Sequence, residues 1–176
     1  MITSFGFRYV QSKTGIMGVV EQTSGAVESQ LTALEESYGS FPVNQRTVTV
    51  PTAEYEQRRD RSDCEEIDLY AKVQNDDAEV LYVDVEGKRV LPSTRVSIDA
   101  DLERAACTTV TEMADVSAEM QGIEAVTILG LHDGNDESRE TVYTLAVLFE
   151  GQHTDGSLSS EAVWREFDAD DHPVYA

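Results

Sequence analysis

Lysine is scarce in this sequence, and basic residues are few altogether. Three of the 13 basic residues are lysine (Lys13, Lys72 and Lys88), whereas 34 residues are acidic, so the formal net charge is -21. A surface with this much negative charge repels phosphate backbones, because they carry charge of the same sign. We therefore expect that the protein binds neither DNA nor RNA.

Cysteine is also rare, and long apolar runs are missing. The two cysteines, Cys64 and Cys107, are too few for a disulfide framework or a cysteine-based metal site. Cys107 lies within a helical pattern, where a small residue in or near the core is the best interpretation. No segment approaches the length of a membrane span and no secretory signal is visible, so we expect a cytoplasmic protein without a membrane partner.

The chain length and the pattern of apolar residues indicate how the chain is organised. A length of 176 residues suits one α/β domain with an N-terminal addition. Residues 1–24 are expected to be a disordered segment, and either Met1 or Met17 is the expected start.

A helical stripe from Gly25 to Tyr38, with Gly39 as its stop, is followed by a β-rich run from Val43 to Val50 that Pro51 ends. They predict an N-terminal helical and strand extension over residues 25–63. Residues 64–176 carry further strand and helix patterns and form the predicted main domain. These patterns include a hairpin turn at Glu86-Gly87-Lys88 and strands over residues 122–131 and 141–150.

One dense group of positive charge lies within the predicted extension. It consists of Arg58, Arg59 and Arg61, in a predicted helix over residues 52–61. Pairing with the many carboxylates of the chain is the preferred interpretation of this group, and binding of a phosphate is the alternative.

The pattern around which the chain is organised lies between residues 89 and 116. It predicts a short strand, a loop and then a helix of about fourteen residues. Its apolar residues recur at the spacing that places them on one helix face, namely Leu102, Ala106, Val110 and Met113 or Ala114. Asp101 is suited to cap the start of this helix, and Asp115 followed by the β-branched Val116 marks its end.

This stretch resembles the Nudix box, the sequence motif of the Nudix hydrolase family. The motif runs Gly, five residues, Glu, seven residues, Arg-Glu, an aliphatic, any residue, Glu-Glu, any residue, Gly and an aliphatic. Without a gap it spans Thr94 to Val116, and the wider similarity, which includes Trp164 in the last predicted strand, covers roughly residues 66–168. The resemblance implies a Nudix-like α/β/α layered fold with a mixed sheet.

Nudix enzymes cleave nucleoside diphosphate derivatives with water and a divalent metal. The resemblance assigns Mg²⁺ binding to glutamates that share one face of the helix. In this chain the two Gly positions are Thr94 and Asp115, the first Glu is Ala100, Arg-Glu is Thr108-Thr109, and the Glu pair is Glu112-Met113. A thioether is too soft to replace a carboxylate on Mg²⁺, and threonine hydroxyls are neutral. The positions that keep the motif are Val110, Glu112 and Val116, and the two valines are core positions.

Glu112 is therefore the candidate catalytic residue and the candidate metal ligand. Its alternative role is that of a solvated residue on the polar side of a helix. Other acids lie near the motif or in the loop after the next strand, namely Asp99, Asp101, Glu103, Asp115, Asp133, Asp136, Glu137 and Glu140. Because 34 acids place a carboxylate near any point, a solvated acidic surface is the preferred interpretation for them. His132, beside this loop, is a candidate base, although a surface histidine is the commoner outcome.

The motif and its substitutions together predict a Nudix-family domain whose catalytic box is largely lost. Such a domain is expected to bind a nucleotide-like ligand or a partner without efficient hydrolysis and without a cofactor. One alternative is an active Mg²⁺-dependent Nudix pyrophosphohydrolase that acts on a nucleoside diphosphate derivative. The other is a structural or interaction domain with a closed pocket. The sequence assigns neither a substrate nor an oligomeric state.

The acidic, lysine-poor composition also resembles that of proteins from salt-loving archaea, in which high ionic strength screens the self-repulsion of the surface. An acidic protein from an organism of ordinary salinity is the alternative. We expect the halophilic type, and hence a fold that gains stability as salt is added.

Overall fold

The computed structural model describes residues 19–60 and 66–167, with side chains from residue 27 onward. The elements in these ranges are α1 (Val19–Tyr38), β1 (Val43–Val50), α2 (Thr52–Asp60), β2 (Glu66–Gln74), β3 (Val80–Val85), β4 (Lys88–Val90), β5 (Ser93–Ser97), α3 (Leu102–Ala114), β6 (Ser117–Asp133), β7 (Val142–Asp155) and β8 (Ala162–Arg165). The expected disorder at the N-terminus, Arg61 and Cys64 lie outside the described residues. None of the described helices has the length and apolarity to span a membrane.

The described strands form one mixed sheet. Its hydrogen-bonded order is β1-β6-β7-β2-β3-β4, with β5 paired to β2 and β8 paired to β3. β1 runs parallel to β6, whereas β3 is antiparallel to β4 and to β8. The predicted α/β class with a mixed sheet is therefore confirmed.

The chain divides into two compact units, and β6 and β7 each contribute residues to both. Among the described residues, the first unit comprises 19–60, 66–67 and 125–146, and the second comprises 68–124 and 147–167. The domain boundaries predicted from the sequence, after residues 24 and 63, differ from this division, and they stay a prediction.

The buried apolar residues of the first unit lie mainly on α1, α2, β1 and the parts of β6 and β7 that belong to it. The apolar stripe of α1 is buried, as its three-to-four spacing predicts, through Val27, Leu31 and Leu34. Helix α1 begins at Val19, earlier than the predicted Gly25, since one glycine inside a helix costs only about 1 kcal/mol. The helix ends as predicted, because Gly39 takes a φ of 81° and donates its N–H to the Glu35 carbonyl at 3.0 Å.

The core of the second unit contains helix α3 and a cluster on the sheet. Helix α3 buries Leu102, Ala106, Val110 and Ala114, which confirms the predicted apolar stripe. The sheet cluster consists of Val80, Tyr82, Leu91 and Leu148, with Tyr70, Val163 and Phe167 packed against it. The predicted hairpin turn between β3 and β4 is confirmed at Glu86 and Gly87, whose φ angles of 52° and 81° suit a tight two-residue turn.

Two boundary predictions are wrong. Residues 93–97 form the strand β5, although the box resemblance led us to expect a loop there; the segment Ser-Thr-Arg-Val-Ser has the β-branched alternation of a strand. Strands β6 and β7 also extend beyond the predicted residues 122–131 and 141–150. Gly151 does not end strand β7 but lies within it. Its backbone is so close to Glu119 and Met120 that a Cβ at this position would lie 3.0 Å from their atoms, which only glycine avoids.

Candidate functional site

The start of helix α3 is fixed by an N-cap that the sequence predicts. Asp101 has an extended backbone, and its Oδ1 accepts a hydrogen bond from the backbone N–H of Arg104 at 3.2 Å. Glu103 adds a favourable negative charge in the first turn, near the positive end of the helix dipole. Both acids thus have structural roles, and Asp101 is confirmed as the cap.

The end of helix α3 lies at the position of the second box glycine. Asp115 takes the left-handed conformation with a φ of 64°, and its N–H donates to the Thr111 carbonyl at 3.0 Å. Ser159 supplies donors to the last carbonyls: its N–H lies 2.9 Å from the Ala114 oxygen and its hydroxyl lies 3.5 Å from the Met113 oxygen. Gly156 packs so closely that a Cβ there would be 3.0 Å from the Asp115 carbonyl. The fold therefore still uses this position as a helix C-cap, with Asp in place of Gly.

The four box positions in the middle of α3, Thr108, Thr109, Glu112 and Met113, differ in exposure. Thr109 is 7% exposed, and its hydroxyl donates to the Ala105 carbonyl at 2.8 Å. Glu112 and Thr108 are exposed, and Met113 is half-buried. These positions span about 140° of the helix circumference at 100° per residue, so exposure differs between them. Glu112 is thus the box carboxylate on this helix, and it lies on the solvent side.

The side chains at the box positions do not fit a magnesium site. Mg²⁺ requires hard oxygen ligands in near-octahedral geometry and gives up its water reluctantly. Glu112 supplies one carboxylate, the Thr109 hydroxyl is bonded within the helix, and the Met113 thioether is too soft. Within residues 19–60 and 66–167, no group of three or more His, Cys, Asp or Glu side chains is placed to hold a metal ion. We therefore derive no catalytic step through a metal on this helix.

A second polar cluster lies in the first unit, at the carboxyl ends of the parallel strands β1 and β6. The register pairs Val50 with Asp133, so Thr52, the first residue of α2, lies beside the end of β6. The side chain of Asp133 is 1% exposed. Its Oδ1 accepts hydrogen bonds from the Thr52 hydroxyl at 2.6 Å and from the Asn135 N–H at 2.9 Å, while Oδ2 accepts from Arg139 at 3.1 Å. The solvated role that we expected for Asp133 is therefore wrong.

The ionisation of this cluster follows from those contacts. The hydrogen bond from Thr52, followed by those from Asn135 and Arg139, lowers the pKa of Asp133 below its ordinary value, although burial opposes the shift. The hydrogen bond to Asp133 likewise raises the pKa of Arg139. Arg139 also lies 3.3 Å from a carboxylate oxygen of Glu56, and its guanidinium is 4.7 Å from the centre of the Tyr55 ring. Asp133 is thus held as a carboxylate whose role is to join a loop to a helix.

The remaining loop residues have the exposure that the sequence suggests. Asp136, Glu137 and Glu140 are exposed, and Asp136 accepts the Ser138 N–H at 3.0 Å within the loop. His132 is half-buried, and its Nδ1 lies 3.3 Å from the Thr141 hydroxyl. The sequence does not predict the buried contacts of Asp133, because no spacing distinguishes this residue from the other acidic residues among the 34. The one signal in the sequence is that Asp133 stands at the end of a long apolar run.

Comparisons with known proteins give structural likeness without sequence likeness. No protein-family model and no curated protein matches the sequence. Among solved structures, an ADP-ribose pyrophosphatase from Streptococcus suis 89-1591 is 18% identical, with a TM-score of 0.41, over 62% of this chain and 78% of that chain. The MutT protein from Methanosarcina mazei Go1 is 22% identical, with a TM-score of 0.41, over 57% of this chain and 75% of that chain.

A third structure matches over more of the chain. It is a UDP-X diphosphatase that is 10% identical, with a TM-score of 0.44, over 93% of this chain and 79% of that chain. The TM-scores lie below 0.5 and the identities below 25%, so these likenesses assign no activity to this chain.

Proposed function

We propose that the chain is a Nudix-related domain that binds a nucleotide-like ligand without hydrolysing it efficiently. The observation that carries the proposal is the state of helix α3, where Glu112 is exposed and Thr109 is buried with its hydroxyl bonded to Ala105. The helix keeps its cap, its core stripe and its end. Of the positions that would carry charge to a metal, Thr109 is buried and Met113 is half-buried, and Glu112 alone keeps a carboxylate.

The chemistry explains why this arrangement opposes turnover. Cleavage of a diphosphate places additional negative charge on phosphate oxygens in the transition state, and metal ions or positive groups must stabilise that charge. Removing one such group typically lowers the rate by a factor of about 10² to 10³. Several are replaced here, although their effects need not add. An uncharged hydroxyl and a thioether supply no such stabilisation.

The ligand class follows from the Nudix resemblance over Thr94 to Val116, and it is the part of the proposal that most needs a binding experiment. The net charge of -21 repels phosphate groups in dilute buffer. Binding should therefore be measured in molar KCl, by calorimetric titration with a panel of nucleoside diphosphate derivatives. Saturable binding without product formation supports the proposal. Absence of binding across the panel would leave an interaction domain as the better answer.

Restoring the box charges tests whether the missing carboxylates limit Mg²⁺ binding. The double variant Thr109→Glu with Met113→Glu should bind Mg²⁺ more tightly than the unmodified chain, because it adds two hard ligands near Glu112. The matched control adds Glu112→Gln to the same two substitutions, and Mg²⁺ affinity should fall again. Since Thr109 is buried, melting curves must first show that both variants fold. Equal Mg²⁺ affinity in all three proteins would contradict the account.

A further inference from the structure

Strand β1 has an open edge among the described strands. It stands at the end of the sheet order and pairs with β6 alone, from Val43 against Val126 to Val50 against Asp133. The Pro42 carbonyl accepts from the Val126 N–H and the Val50 carbonyl accepts from the Gly134 N–H. Backbone groups alternate along a strand, so even-numbered residues face β6. The N–H and C=O groups of residues 43, 45, 47 and 49 therefore face away from the sheet.

Among the described residues, this edge has little of the protection by which sheet edges avoid pairing with other chains. Such devices include short strands, charged side chains, proline within the strand and bulges. Strand β4, the other end of the sheet order, is three residues long and carries Lys88 and Arg89. Strand β1 is eight residues long, has Arg46 as its single charge, and exposes Gln45, Thr47 and Thr49. The chain thus protects one end of its sheet and leaves the other suited to pairing.

The charge distribution makes strand β1 the described strand along which a second copy of the chain approaches with least repulsion. Two molecules that each carry a charge of -21 repel one another over most of their surfaces. Strand β1 is the longest described strand without an acidic residue, so approach along it adds no carboxylate pair. We propose that two copies associate by antiparallel pairing of β1 with β1, which continues the sheet from one molecule into the other. This inference goes beyond the proposed function and does not depend on it.

The direction of the backbone groups limits the possible registers. In an antiparallel pair, outward-facing residues must lie opposite outward-facing residues, so the two-fold axis passes through a residue position. An axis at Arg46 would place two guanidinium groups opposite each other, which is unfavourable. An axis at Thr47 places the two copies of Thr47 opposite each other, Gln45 opposite Thr49 of the second copy, and Arg46 opposite Val48. The Thr47 register is the one we propose.

The test is the molar mass in solution, measured by size-exclusion chromatography with light scattering in molar KCl over a wide range of protein concentration. The unmodified chain should shift from the mass of one chain to that of two as concentration rises. Thr47→Lys should abolish the shift, because it places two ammonium groups opposite each other at the axis. Thr108→Lys, on the exposed side of α3, makes the same charge change away from the edge and should leave the dimer intact.

A proline variant and amide hydrogen exchange show whether the dimer interface lies at strand β1. Thr47→Pro removes an outward N–H that β6 does not need, so the variant should fold and remain a monomer. In the unmodified chain, exchange of the Gln45, Thr47 and Thr49 amides should slow as the dimer forms. A monomer at all concentrations would overturn the proposal. So would a dimer that persists in folded Thr47→Pro and Thr47→Lys, because its interface would then lie elsewhere.

Discussion

At the scale of single residues, Thr109 and Asp115 show how polar side chains contribute to the structure of helix α3. Thr109 is buried, and its hydroxyl bonds within the helix. Asp115 holds a left-handed conformation that glycine adopts more readily. The sequence itself shows that the two motif positions carry threonine and aspartate instead of glutamate and glycine. It does not predict that Thr109 faces inward while Glu112 faces solvent, since helical spacing alone does not fix how far the helix is rotated on its neighbours.

Asp115 provides a prediction about stability. Asp115→Gly should raise the free energy of unfolding by about 0.5–1 kcal/mol, because glycine takes the φ of 64° without strain and a negative charge leaves the helix C-terminus. Chemical denaturation at neutral pH measures the change. Asp115→Asn removes the charge but keeps a side chain, so it should give only part of the gain. A loss of stability in Asp115→Gly would mean that the carboxylate has a stabilising contact.

Asp133 provides a prediction about pH. Its pKa is lowered in the folded state, so its contribution to stability is complete above the unfolded value of about 3.9 and is lost as pH falls through the folded value. Asp133→Asn should therefore destabilise the protein at neutral pH, and the gap to the unmodified chain should narrow below about pH 4. Urea unfolding followed by Trp164 fluorescence measures this gap. Glu137→Gln, an exposed acid in the same loop, is the control and should show little change.

At the scale of elements, the sequence predicts helices and central strands well and local irregularities poorly. The cap at Asp101 and the stripe through Val110 define α3, because both signals are local and agree with each other. The run from Val43 to Val50 is predicted with the observed bounds, since Pro51 ends it. Strand β5 was missed because its five residues form a strand by pairing with β2, a partner distant in sequence.

The junction between loop and helix at Asp133 illustrates the same limit. Asp133 and Thr52 are separated by 81 residues, and the parallel register of β1 and β6 brings them within 2.6 Å. Such a register is a property of the sheet, and no local pattern of residues announces it. The candidate site on α3 lies within one segment and was located from sequence, whereas the Asp133 cluster, assembled from two segments, was not.

At the scale of the whole molecule, charge should govern stability. With 34 acidic and 13 basic residues, self-repulsion should destabilise the compact state in dilute buffer. It should weaken as the Debye length falls to about 3 Å near 1 M salt. The melting temperature should therefore rise steadily with KCl concentration. A flat or falling curve would show that the charges are already balanced by local pairs, and the proposed halophilic character would be wrong.

The proposed function requires that helix α3, which resembles a Nudix box helix, does not support hydrolysis. Hydrolysis of a panel of nucleoside diphosphate derivatives, assayed with Mg²⁺ or Mn²⁺ in molar KCl, tests it most directly when the unmodified chain is compared with Glu112→Gln. We predict that both proteins show the background rate, because one exposed carboxylate does not hold a metal ion against its hydration shell. Robust metal-dependent hydrolysis by the unmodified chain, abolished by Glu112→Gln, would contradict the claim and identify an active pyrophosphohydrolase.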